Sequence, residues 1–136
     1  MNTFLKHAIA GLFLIVSGFV FAQIPDTQHS EGIAFISGGV GDGESEAILA
    51  EAKQWPVLLE LSQLENGRGV WIFGVQIKLI NEQQKVIFNA QADGPYMLIN
   101  LTPGDYQILA TYQGVEQKRA LAVKAGSSQK LNIFWK

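Results

Sequence analysis

The spacing of apolar residues changes several times along this chain, and the changes divide it. Residues 8–22 (AIAGLFLIVSGFVFA) are apolar almost without interruption. Residues 23–31 (QIPDTQHSE) are polar with one proline and read as a flexible lead-in. The run Ile33 to Ile36 reads as a short strand, and the glycine-rich stretch 37–45 (SGGVGDGES) as a tight turn. Over residues 44–54 the period becomes helical. Ile48, Leu49, Ala52 and Trp55 define one apolar face. Glu44 and Glu46 near the start and Lys53 near the end suit the helix dipole. Asp42 is the expected N-cap, and Pro56 should end the helix at Trp55.

From Val57 onward the period is two. Val57, Leu59 and Leu61 alternate with Leu58, Glu60 and Ser62. After the turn Glu65-Asn66-Gly67-Arg68-Gly69 comes the longest alternation, which predicts one strand with Trp71, Phe73, Val75, Ile77 and Leu79 facing the core. Val86, Phe88 and Ala90 share a face in the next segment, as do Tyr106, Ile108, Ala110 and Tyr112, then Leu121 and Val123, and finally Leu131, Ile133 and Trp135. Turn residues separate these runs: Asp93-Gly94-Pro95, Thr102-Pro103-Gly104, Gln113-Gly114 and Ala125-Gly126-Ser127-Ser128. The expectation is a mostly β protein: an antiparallel sandwich of about seven strands with one short N-terminal helix. Trp71 and Trp135 are expected in its core, and Trp55 partly exposed between helix and strand.

The first apolar run changes where the domain is expected to work. Lys6 and the amino terminus give a positive leading region, and Val20 and Ala22 are small residues at the −3 and −1 positions of a cleavage site. Residues 1–22 therefore read as a signal peptide cut before Gln23, with a periplasmic or secreted product. The apolar stretch is shorter than the roughly 20 residues of a membrane span. No membrane span is expected after cleavage, and the absence of cysteine excludes both a lipoprotein anchor and disulfides. Of the ten Lys and Arg, Lys6 leaves with that segment. The nine that remain face twelve Asp and Glu, a net charge of −3. The densest basic cluster is Lys118–Arg119, which gives no stripe with which to neutralise phosphates, so nucleic acid is rejected as a partner.

The stretch Gly74-Val75-Gln76-Ile77-Lys78-Leu79, then Asp93-Gly94-Pro95-Tyr96, then Leu101-Thr102-Pro103-Gly104-Asp105-Tyr106, with Gly114 after it, resembles the carboxypeptidase regulatory-like domain. That family folds as a transthyretin-like (prealbumin-like, Ig-like) β-sandwich. The segment 37–54 is similar to what free-standing exported bacterial members carry ahead of the sandwich. The resemblance implies a lead-in over 23–31, a strand, glycine turn and helix over 32–56, and the sandwich over 57–136. It also implies that Gly74, Asp93, Gly94, Pro103, Gly104 and Tyr106 are structural. Pro103 presets the turn, Gly104 is expected in a left-handed conformation, and the Tyr106 hydroxyl is expected to find a backbone partner. The family name does not imply peptidase activity.

Candidate chemistry is sparse. His29 is the one histidine left after residue 22, and it stands in the polar lead-in. A histidine-dependent triad or a nitrogen–sulfur metal site therefore cannot assemble within the chain. The glycines at 38, 39, 41 and 43 lack the Lys-Ser/Thr of a phosphate loop, and Asp42, Glu44 and Glu46 would repel an anion. Those three acids fall short of the six or more oxygens that calcium takes. No catalytic residue, metal or cofactor is expected. The leading expectation is a non-catalytic accessory or protein-binding module of the bacterial envelope. The alternative is a carbohydrate- or peptidoglycan-binding module using exposed aromatics, with Trp55 and Tyr96 as the contact residues. The sequence names neither the partner nor an oligomeric state.

Overall fold

The computed structural model describes residues 23–136, so the signal-peptide reading of residues 1–22 lies outside the described residues. The described residues form two stacked sheets and one short helix. In order come β1 (Gln28–Ser30), β2 (Ile33–Gly38), α1 (Glu44–Glu51), a 3-10 turn (Ala52–Gln54), β3 (Val57–Glu65), β4 (Arg68–Trp71), β5 (Gln76–Ile80), β6 (Val86–Gln91), β7 (Tyr96–Ile99), β8 (Gly104–Tyr112), β9 (Val115–Val123) and β10 (Gln129–Trp135). The first sheet runs β1-β2-β7-β3-β10, with β4 paired to the far end of β3; the second runs β6-β5-β8-β9.

This is a mostly β, two-sheet domain, but its strand order is mixed. β10 pairs with β3 in parallel, from Gln129 opposite Val57 to Trp135 opposite Gln63, while the other pairs are antiparallel. An alternating pattern reports which face a side chain takes and carries no strand direction, so the parallel pair was invisible in it. Among the described residues there are ten strands where about seven were expected. One of the additional strands, β1, lies inside the polar lead-in. The Ser30 hydroxyl ties it across to the second sheet, donating to the Asn89 carbonyl at 3.0 Å and accepting the Asn89 N–H at 2.9 Å. At the opposite seam the Trp135 indole N–H donates to the Val115 carbonyl at 2.9 Å.

The core lies between the sheets. Val57, Leu59 and Leu61 of β3, Ile77 and Leu79 of β5, Phe88 of β6, Met97 and Ile99 of β7, Ile108 and Ala110 of β8, and Ile133 of β10 are fully buried there. The expected core phases of β3, β8, β9 and β10 hold, and Trp135 is buried as expected. A second, smaller cluster covers part of the first sheet's outer face, where Ile48 and Ala52 of the helical segment rest on Ile36, Leu58, Tyr96 and Leu98. This is why β3 is apolar on both faces near its start.

Three local expectations need correction. Gly43, left-handed at φ +71°, occupies the N-cap of α1 with no side-chain cap, in place of Asp42. The first turn is instead tied back by Glu44, whose carboxylate accepts the Gly39 N–H at 2.7 Å. Leu49 is exposed: only residues four apart, Ile48 and Ala52, face the sheet, and Leu49 is turned about 100° away from Ile48. Gly104 has the positive φ expected of it, but at +154° it is an extended conformation that pairs with Val123 as the first residue of β8, not the tight corner of a type II turn. The hydroxyl of Tyr106 does reach a backbone partner, donating to the Thr102 carbonyl at 2.7 Å.

The largest difference lies in the longest alternation. The chain leaves the first sheet after Trp71 and joins the second at Gln76, so residues 72–75 belong to neither. Gly74 takes φ +83° in this crossing and donates its N–H to the Ala92 carbonyl at 2.8 Å. The inward residues on either side, Ile72 and Val75, are three apart, so the phase slips by one. Trp71 and Phe73, expected in the core, are 52 % and 67 % exposed.

Candidate functional site

The acidic turn does not assemble into a site. Glu44 is engaged by the Gly39 N–H, and among the described residues no group of three or more His, Cys, Asp or Glu is placed to hold a metal ion. His29 is exposed on β1, opposite Ala34. The glycine turn serves the fold through the 93–96 turn. The Asp93 N–H donates to the buried Ser37 hydroxyl at 2.6 Å, and Gly94 lies so close to Gly38 that a Cβ would overlap the Gly38 carbonyl. A Cβ on Gly39 would meet the Tyr96 ring at 2.8 Å. The two motifs singled out in the sequence therefore interlock, and of the other motif residues Gly74 belongs to the crossing between sheets, Pro103 to a turn, and Gly104 and Tyr106 to the start of β8.

Tyr96 is not the exposed contact expected of it. It is 4 % exposed because β7 is central in the first sheet and its outer face meets the helical segment. Its ring stands edge-on to Trp71, with centroids 5.7 Å apart and planes at 68°. Burial holds the phenol above its usual value of 10.0, and the charges of Glu60 and Glu46 push it further the same way. The neutral form is thus favoured by folding. This contribution is fully present below pH 10 and is lost as pH rises towards the elevated folded value. Absorbance titration at 295 nm of the wild type minus that of Tyr96→Phe should show one phenol ionising above pH 10. A difference curve centred at or below pH 10 would contradict the packing described.

What the fold leaves open is the surface around Trp71. On β3 and its neighbours, Trp71 stands opposite Ser62, and Ser62 opposite Phe134, across one row of the first sheet. Beside that row Trp71 and Phe73 project with Val40, 65 % exposed, around an apolar recess of about 200 Å³ completed by Gly39, Ile72 and Pro95. A shallower groove of about 460 Å³ continues past Val70, Trp71 and Phe73 to Gln63, Glu65 and Tyr112. An exposed aromatic side chain carries roughly 150–250 Å², so two at half exposure or more, plus a valine, make an apolar patch of about 300 Å², within the range of the largest patch on a typical monomeric protein. The interlocked glycine turn places Val40 in this patch, and the Gly74 crossing places Phe73. The sequence signal for it was the three-residue gap between Ile72 and Val75, disguised by the apolar residues on both phases.

Trp55 is half-buried, as expected, and lies at the other end of β3. It lines an open groove of about 490 Å³ together with Lys53, Gln54, Pro56, Leu101, Pro103, Val123, Lys124 and the turn 125–128. Among the described residues no helix is long and apolar enough to cross a membrane. Comparison of the chain with protein-family models, with curated proteins and with solved structures found no match in any of the three.

Proposed function

We propose that this chain is an exported, non-catalytic accessory module, a transthyretin-like sandwich of the carboxypeptidase regulatory-like kind, that docks a protein of the bacterial envelope through the surface around Trp71 and Phe73. Export is supported by the pattern of residues 1–22, and the family by the motifs at 74–79, 93–96 and 101–106. The observation that carries the docking reading is the exposure of Val40, Trp71 and Phe73 around one apolar recess on a rigid scaffold. Two aromatic anchors beside a recess are the arrangement that dominates the energetics of protein interfaces.

The test is site-specific photo-crosslinking in cells. A benzophenone amino acid at Phe73 should give a discrete adduct with one envelope protein. The same group at Val86, also exposed but at the far end of the second sheet, should not. Trp71→Ala should weaken the purified pair by about 2 kcal/mol, roughly thirtyfold in Kd. No adduct at Phe73, or the same adducts from both positions, would rule the surface out. Mass spectrometry of the periplasmic fraction should find a mature N-terminus at Gln23.

A further inference from the structure

The Trp55 groove, at the end of β3 away from Trp71, has a different chemistry from the apolar patch. Its lining includes the apolar residues Pro56, Leu101, Pro103 and Val123 and two exposed lysines, Lys53 and Lys124. Among the described residues neither lysine has a carboxylate within salt-bridge distance; the ion pair formed is Lys130–Glu60. In a chain of net negative charge, two lysines without a salt bridge line this groove, against the single Glu51 carboxylate that contacts Trp55.

The walls are fixed before any ligand arrives. The Ser128 hydroxyl donates to the Trp55 carbonyl at 2.8 Å and lies 3.3 Å from the Lys53 carbonyl, tying the β9–β10 turn to the end of the 3-10 turn. The Gln129 N–H donates to the Pro56 carbonyl at 2.8 Å, and the Ser127 hydroxyl to the Lys124 carbonyl at 3.3 Å. The Trp55 indole N–H is taken up by the Glu51 carboxylate at 3.3 Å, and one side of the ring packs on the cluster beneath α1. What the indole offers the groove is therefore apolar ring surface rather than a donor.

We infer that this groove binds a carboxylated saccharide, with the C–H face of a sugar ring on Trp55 and the carboxylate held by Lys53 and Lys124. An indole surface suits the apolar face of a pyranose, and ammonium groups supply long-range attraction for an anion. The lining holds no arginine to grip a phosphate in two places, and the groove lies at the carbonyl end of a helical segment, which opposes any anion and a doubly charged one more strongly. A single carboxylate fits this field better than a phosphate. Gln54 also lines the groove and carries a side-chain amide able to bond sugar hydroxyls. This inference does not depend on the protein-docking surface at the other end.

The experiment is a two-dimensional amide NMR titration of the mature chain at low ionic strength. The probes are trigalacturonic acid, N-acetylmuramic acid, uncharged galactotriose and adenosine monophosphate. A carboxylated probe should shift the Trp55 indole signal and residues 124–128 while leaving Trp71 unmoved. Added salt should weaken binding. Lys53→Gln with Lys124→Gln should reduce affinity about tenfold or more with the remaining spectrum intact, and Trp55→Phe should retain part of the binding. Which of the two acids binds separates a uronate polymer from glycan strands stripped of their stem peptides, where the muramyl carboxylate is free of its amide link. Absence of shifts at millimolar probe, equal affinity for galactotriose, an unaffected double-lysine variant, or binding of the nucleotide alone would each overturn the assignment.

Discussion

Replacing Gly94 with alanine should destabilise the domain by about 3 kcal/mol, lowering Tm by roughly 12 °C. The added Cβ would fall on the carbonyl of Gly38, and the obstacle is backbone rather than the free end of a side chain. Neither segment can easily retreat. Gly38 is held in β2 against β7, and Asp93 next to Gly94 is held by its N–H bond to Ser37. Gly67 is the control. It has φ +78° and nothing within 4 Å of a Cβ, so Gly67→Ala should cost only the left-handed strain of about 1 kcal/mol. Thermal melts of the two variants read the difference directly. A Gly94→Ala protein that melts with Gly67→Ala, or above it, would mean that the glycine turn and the 93–96 turn do not interlock.

That contact also marks the boundary of what the sequence made legible. Wherever a segment keeps one phase within one sheet, as in β8 with Tyr106, Ile108, Ala110 and Tyr112, alternation alone identified the inward face. The same holds for Leu131, Ile133 and Trp135 of β10. The turn at Thr102–Tyr106 was readable because its bond is local, four residues long. The approach of Gly38 to Gly94 was not. It joins segments about 56 residues apart, as the Ser37–Asp93 bond beside it does, and no local pattern encodes such a distance. Trp55 lies partly exposed at the helix–strand junction, a position legible because Pro56 ends the helical period there. Tyr96 was misplaced because its neighbours Asp93, Gly94 and Pro95 are polar or turn residues while its own strand is central in a sheet.

Phe73 and Phe88 carry the sharpest test of the phase slip. Both stand on the expected core face of their segments, and both should be costly to truncate if alternation ran unbroken from Trp71 to Leu79. In the structure Phe88 is fully buried between the sheets, edge-on to Phe35 with centroids 5.2 Å apart, whereas Phe73 is 67 % exposed. Phe88→Ala should therefore lose about 3–5 kcal/mol, from the transfer of the ring and the cavity it leaves. Phe73→Ser should stay within about 0.5 kcal/mol of the wild type. Urea unfolding measures both, with the slope unchanged for Phe73→Ser because the surface exposed on unfolding hardly alters. A Phe73→Ser protein weakened as much as Phe88→Ala would put the ring inside and return Ile72 to the surface. The crossing at Gly74 would then be wrong, and so would the docking surface that depends on it. A Phe73→Ser protein that keeps its stability yet loses its crosslinked partner would separate binding from folding at this one position.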